Sequence, residues 1–279
     1  MTTVEHRYKQ LLETTGRLGT RAGRNLVAFS GGVDSALVAH VVREVYPASA
    51  IACIGVSDSL PAEQRQAAEE LASQIGIPLR FVPTNEGAHP EYVANQGMSC
   101  YFCKTSLYGS MSALVDALAA EVGPTVLFNG SNADDLQDPT RVGLKAASEF
   151  RVASPLSELT KADVRDLARH AGLPNWDTAA SPCLRSRLQL GVPATPANLA
   201  RIEEAERRLR LHFAVPRSTD FRVRHLEGNL AMVEASDPVF AALDLAACEE
   251  HLLPLGFARV GTRHFVSGGV SGYRTPADD

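Results

Sequence analysis

The stretch Asn25–Tyr46, NLVAFSGGVDSALVAHVVREVY, decides the fold. It opens on a short apolar run ending in Ser-Gly-Gly, which reads as a buried strand, and closes on SALVAHVVREVY, which reads as a helix. Between them, Ser30, Gly31, Gly32, Val33, Asp34 and Ser35 turn the chain from one to the other. Adjacent glycines permit backbone conformations and close approaches that side chains block. Consecutive N–H groups in such a turn, with a helix N-terminus behind them, make an anion site, and Ser30 and Ser35 add hydroxyl donors. No lysine follows in the Walker spacing, and no G-x-G-x-x-G occurs. A bare Gly-Gly turn would also serve as a tight strand-to-helix connection.

Working outward, the same alternation repeats. Residues 4–20 read as an amphipathic helix and AIACIGVS (50–57) as a second strand. LPAEQRQAAEELASQIG (60–76) is a helix with Pro61 in its first turn and Gly76 at its end. PLRFVPT (78–84) is a third strand, 104–123 a helix, and TVLFNGSNADD (125–135) a fourth strand running into a polar loop. Alternating strands and helices predict a parallel sheet with helices on both faces. A further helix follows, capped by Thr160 with Asp163 and closed by Gly172 and Pro174. After a loop holding Trp176 and Cys183, GVPATPAN (191–198) reads as a linker with Thr195 and Pro196 opening a helix over 196–211. FRVRHLEGNLAMVEA (221–235) reads as a hairpin around Glu-Gly-Asn. A helix over 237–254 and a strand near 258–266 complete a smaller α/β unit. The expected division is 1–190 and 191–279, with a frayed end at TPADD.

The composition is 45% hydrophobic with no apolar run long enough for a transmembrane helix, and the charged N-terminus lacks a signal core, so a cytoplasmic protein is expected. The net charge of −5 argues against nucleic acid as a partner, yet Cys183–His225 holds nine arginines and four acids, which suits a small anionic ligand. Part of that arginine content belongs to the solvated helix face in RIEEAERRLR. Five irregularly spaced cysteines predict metal binding or catalysis rather than a disulfide framework. Cys100 and Cys103 form a C-x-x-C, compatible with half a zinc site, a redox pair or, with a third cysteine, a 4Fe-4S cluster. Cys53 and Cys248 read as core residues. Asp134 and Asp135, after the fourth strand, stand where a parallel sheet meets its ligand and are candidates for magnesium or substrate, although an acidic Asx turn would look the same. Arg141 and Lys145 are weaker phosphate candidates.

The full string S-G-G-x-D-S between strand and helix resembles the pyrophosphate loop of the PP-loop ATP pyrophosphatases. That resemblance implies an adenine nucleotide alpha-hydrolase-like fold, with ATP held by Ser30–Ser35, and Asp34 steadying the loop or reaching Mg2+. Taken in order, MSCYFCK, NGSNADD, RVGLKAASE, SPLSELTKADVRDLARHAGLPNWDTAASPCLRSR and FRVRHLEGNLAMVE resemble the LarE family. Its members are ATP-dependent sulfur transferases of nickel-pincer nucleotide cofactor biosynthesis, serving lactate racemase. The resemblance runs from the loop to about residue 235, and the tail departs from it.

It implies adenylation of a carboxylate of pyridinium-3,5-biscarboxylic acid mononucleotide and its conversion to a thiocarboxylate. Cys183 matches a cysteine that gives up its own sulfur, and Cys100, Cys103 and Cys183 together match a 4Fe-4S triad. The triad is the favoured mode, because sacrifice of Cys183 needs neither of the others. Ser186 and Arg187 are expected to flank the donor. Glu206 is expected near the site, with Glu203 as its rival and Asp237 a weaker match. Arg222 and Arg224, alternate residues of one strand, are expected to grip the substrate phosphate. Trp176 is a candidate for stacking on a ring or for packing at a loop–core junction. A homo-oligomer with no membrane partner is expected. Rival readings are a tRNA thiolase, an amide-forming ligase of the same superfamily, and a non-catalytic ATP-binding protein with structural zinc.

Overall fold

The computed structural model describes residues 3–138, 142–178 and 182–266. The chain divides into two compact units, Met1–Glu86 with Cys100–Ser181, and Gly87–Ser99 with Pro182–Asp279. In chain order the first contains α1 (Val4–Leu18), β1 (Arg24–Ala28), α2 (Val33–Val45), β2 (Ala50–Val56), α3 (Ala62–Ile75) and β3 (Leu79–Pro83). After α4 (Pro90–Ala94), which belongs to the second unit, come α5 (Ser99–Val122), β4 (Thr125–Phe128), α6 (Ala133–Gln137), α7 (Gly143–Glu149) and α8 (Lys161–His170).

The four strands form one parallel sheet in the order β3-β2-β1-β4. Val27 of β1 pairs with Ala52 on one side and Phe128 on the other. Successive strand residues point to opposite faces. Val27, Ala52 and Phe128 accordingly enter a core shared with α1, α2, α3 and α8, while Leu26, Cys53 and Leu127 enter another shared with α5 and α7. Each fully buried Leu, Val or Phe contributes about 1.5–3 kcal/mol. The expected α/β class, a parallel sheet covered on both faces together with a smaller α/β unit, is what the chain adopts. Being central, β1 delivers the Gly-Gly turn to the middle of the sheet's carboxyl edge.

The second unit holds α9 (Pro196–His212), β5 (Phe221–Leu226), β6 (Leu230–Ala235), α10 (Leu245–Leu252) and β7 (Arg259–His264). β5 and β6 form the expected hairpin, and β7 joins β6 in parallel. Phe221 and Val223 with Ala231, Val233 and Ala235 face α9 and α10 in a common core. The intervening Arg222, Arg224 and Glu234 therefore share the opposite face. No helix among the described residues is long and apolar enough to cross a membrane.

Three local expectations are corrected. The helix expected from Lys104 begins at Ser99, so Cys100 and Cys103 lie in its first turn. Gly97, at φ 95°, is the last helix-breaking residue before it. The acidic segment after β4 is not a loop but helix α6, with Asn132 as N-cap in a capping box with Asp135. The helix expected over 237–254 is confined to Leu245–Leu252, because Asp244 caps it by accepting from Ala247 N–H, after a 3-10 turn at Phe240–Ala242. The tail from residue 267 and Arg141 lie outside the described residues.

Candidate functional site

The Gly-Gly turn is built as an anion cradle. Gly31 has φ 77°, and a Cβ there would stand 3.2 Å from Ala68 Cβ, so the position asks for glycine twice over. Gly32 is the N-cap of α2 and supplies no capping side chain, leaving first-turn N–H groups for a ligand. The serines tie the turn together. Ser35 Oγ accepts from Ser30 N–H at 3.2 Å and donates to Gly32 O at 3.0 Å, with Ser30 Oγ 3.2 Å away. Val33 is buried and anchors the helix start, while Ser30 and Gly32 are exposed.

Asp34 points into a polar cluster that the sequence alone did not reveal. Its Oδ1 accepts from Asn132 Nδ2 at 3.0 Å, and its Oδ2 is bonded to the Lys161 ammonium. Asn132 is buried because it caps α6 with its oxygen, which accepts from Asp135 N–H at 3.0 Å. Lys161 is placed by the Thr160–Asp163 capping box that opens α8. A cation thus stands beside the loop although the Walker lysine is absent. Gly130 backs the loop closely: a Cβ there would lie 2.8 Å from Ser35 N. Asp134 Oδ2 accepts from Lys161 N–H at 2.8 Å, and Asp135 Oδ2 accepts from Asn132 N–H at 3.3 Å. Both candidate metal carboxylates therefore brace the backbone beside the loop.

No disulfide joins the five cysteines, and they divide by environment. Burial pushes the Cys53 thiol up to about 12, and burial with Asp244 and Glu249 pushes Cys248 up to about 11, so both are inert core thiols, as expected. Cys100 is exposed and Cys103 half-buried, one helical turn apart on α5. Cys103 Sγ lies 4.0 Å from Glu86 Oε1, a buried carboxylate that also accepts from Ser57 and Ser59 hydroxyls. Cys183 is half-buried and belongs to the second unit. Among the described residues no group of three or more His, Cys, Asp or Glu is arranged to hold a metal ion. Lys145 lies over the Tyr101 ring at 5.5 Å.

In the second unit, Cys183 heads a 3-10 turn over Leu184–Arg187. Ser186 and Arg187 hold it by its carbonyl, which accepts from Ser186 Oγ at 2.7 Å and from the Arg187 guanidinium at 3.1 Å. Glu206, on α9, is buried beside Arg187. Its Oε1 accepts from Arg187 Nε at 3.0 Å and from Val223 N–H at 3.1 Å. Arg224 is committed to buried Glu234 at 2.6 Å and also donates to Ser186 O at 2.9 Å. Arg222 stands 3.8 Å from Asp220, and burial, followed by the like charge of Arg187, lowers its pKa to about 10. Arg185, Arg187, Arg222 and Arg224 are thus buried, with Glu206 on Arg187, Glu234 on Arg224 and Asp220 near Arg222. Asp237 is exposed just after β6. Trp176 packs against the core of the first unit, with the Arg169 guanidinium 5.4 Å from its ring.

No family model matches the chain. It is 41% identical over 234 residues to an uncharacterized protein of Synechocystis sp., covering 83% of this chain and 82% of the relative. It is 33% identical over 190 residues to the pyridinium-3,5-bisthiocarboxylic acid mononucleotide synthase of Lactiplantibacillus plantarum, covering 67% of each. It is 29% identical over 161 residues to a chain of the glutamine-hydrolyzing GMP synthase of Methanopyrus kandleri, covering 54% of this chain and 50% of that one.

Proposed function

Because the chain belongs to the family of the pyridinium-3,5-bisthiocarboxylic acid mononucleotide synthases, the LarE family, we propose that it is an ATP-dependent sulfur transferase acting on pyridinium-3,5-biscarboxylic acid mononucleotide. It is an ATP-using enzyme of the PP-loop class. The observation that carries the finer reading is Cys183, half-buried, pinned by its carbonyl and surrounded in the sequence by arginines that the fold buries. A thiol among buried positive charge suits an anionic, carboxylate-bearing substrate. An amide-forming ligase would use the loop and leave this arrangement without a role.

The first half-reaction belongs to the first unit. A substrate carboxylate oxygen attacks the α-phosphorus of ATP, the bond to the β,γ-phosphates breaks, and pyrophosphate leaves into the N–H groups of Gly31, Gly32 and Val33. Lys161 adds positive charge beside Asp34. Mg2+ bound with ATP would neutralise phosphate charge, and Asp34 is the carboxylate of the loop able to reach it.

The second half-reaction belongs to Cys183. Its thiolate attacks the acyl adenylate, and AMP departs. Loss of the cysteine Cα proton then breaks the Cβ–S bond, which releases the thiocarboxylate and leaves dehydroalanine. A 4Fe-4S cluster on Cys100, Cys103 and Cys183 would instead supply sulfide and leave the chain intact. Among the described residues no group of three such side chains is arranged to hold a metal, so this mode rests on the match of the three cysteines to the family's triad. We favour this second mode, because the first makes no use of the helical Cys100–Cys103 pair. Within either mode, Arg222 is the guanidinium best suited to the substrate phosphate.

The test supplies ATP, Mg2+ and the biscarboxylic mononucleotide to anaerobically purified protein, and reads pyrophosphate, thiocarboxylate, iron and the mass of residue 183. Cys183→Ala is expected to release pyrophosphate and form no thiocarboxylate. Thiocarboxylate from that variant would overturn the role of Cys183. A loss of about 34 Da at Cys183 in the wild type, the mass of the hydrogen sulfide removed, would, without iron, select the sacrificial mode over the cluster.

A further inference from the structure

Two amide side chains from outside the Gly-Gly turn hold it by its carbonyls. Asn175 Nδ2, in the turn after α8, donates to Gly31 O at 3.0 Å. Gln64 Nε2, near the start of α3, donates to Ser30 O at 3.1 Å. Both amides leave the other end bare: Asn175 Oδ1 and Gln64 Oε1 are buried atoms without a hydrogen-bond partner among the described residues. Flipping either amide would set its oxygen against a carbonyl oxygen, so the loop dictates the orientation. A buried acceptor left unmade is a cost that folded proteins avoid unless something requires it. Here it occurs twice, on unrelated elements, at two successive residues of one loop.

The requirement follows from the planar trans peptide, in which C=O and the next N–H point in opposite directions. Tying Ser30 C=O to Gln64 aims Gly31 N–H the other way. Tying Gly31 C=O to Asn175 does the same for Gly32 N–H, whose contact within the loop is a long 3.5 Å approach to Ser30 Oγ. An anion cradle needs its N–H groups turned inward and its carbonyls turned out. A two-glycine turn does not hold that orientation by itself, because glycine adopts either sign of φ.

We propose that Gln64 and Asn175 are positioning residues of the phosphate cradle, directing the Gly31 and Gly32 N–H groups at the pyrophosphate of ATP. This rests on reading the loop as an ATP site. The test measures binding of inorganic pyrophosphate and of adenosine to the full chain and to Gln64→Leu and Asn175→Leu, which keep similar shape, lose the donor and add no charge. Each variant is expected to bind pyrophosphate about tenfold more weakly, the effect of one lost hydrogen bond, with adenosine affinity within about twofold of wild type. A role confined to folding would move both ligands together. Pyrophosphate affinity within about twofold of wild type in variants that melt cooperatively would overturn the proposal. If Asn175→Leu does not fold, Gln64→Leu carries the test alone, since its side chain sits on a partly exposed helix face. A wild-type protein that binds no pyrophosphate overturns the ATP reading itself, whereas wild-type binding with unaffected variants overturns only the clamp.

Discussion

Gly130→Ala tests how closely the segment after β4 backs the phosphate loop. A Cβ at Gly130 would lie 2.8 Å from Ser35 N, 2.9 Å from Asp34 C and 3.0 Å from Asp34 Cβ. None of these atoms can turn aside as the end of a long side chain can. Reaching ordinary contact at 3.4 Å from 2.8 Å requires a relative shift of about 0.6 Å between the start of α2 and the β4–α6 connection. Overpacking of this kind costs about 1–3 kcal/mol. For a unit of this size, that corresponds to a Tm lowered by about 2–10 °C. The displaced atoms belong to Asp34 and Ser35, so the cradle moves with them. A misplacement approaching 1 Å costs about a hundredfold in rate, and half that distance is expected to cost about tenfold in pyrophosphate release. Calorimetry and a pyrophosphate-release assay at saturating ATP read the two effects. A variant with wild-type Tm and wild-type release would refute the contact and the reasoning built on it.

The thiols make a pH prediction. At pH 8, iodoacetamide is expected to label Cys100 and Cys183 in the folded, iron-free protein and to spare Cys53 and Cys248, whose thiols are held near 12 and 11. Both folded values lie above the unfolded one, so the stability these thiols contribute is intact below pH about 9 and is lost as pH rises toward 11–12. Cys53→Ala is expected to flatten that alkaline decline in urea melts. In the second unit, Glu234 is buried between Arg224 and Arg263, so Glu234→Ala leaves two guanidinium groups without that carboxylate and is expected to destabilise the unit by about 3–5 kcal/mol in urea titration. Wild-type midpoints in Glu234→Ala would show that the pair is solvated rather than buried.

What could be read from the sequence was local or periodic. Ser30–Ser35 lies between a strand and a helix, and a Gly-Gly turn there needs only a few residues to specify its backbone. The alternation of strand and helix specified a parallel sheet, since each apolar run needs covering on both faces. The two-residue period put Arg222 and Arg224 on one face, and the Thr160–Asp163 cap was legible because both partners lie within one turn. The apolar surroundings of Cys53 and Cys248 marked them as core.

Only the tertiary structure decided which groups meet the loop. Lys161 and Asn132 on Asp34, and Asn175 and Gln64 on the loop carbonyls, come from distant segments brought together by sheet order and helix packing. No local pattern encodes such contacts, because loop closure over long separations is settled by the cooperative burial of whole elements. The same holds for roles. Asp134 and Asp135 read in the sequence as candidates for magnesium or substrate, or as an acidic turn; only the fold shows that one oxygen of each lies on a backbone N–H group, and that Arg224 has Glu234 of β6 beside it. Composition names the charges available; the fold determines which of them are brought together.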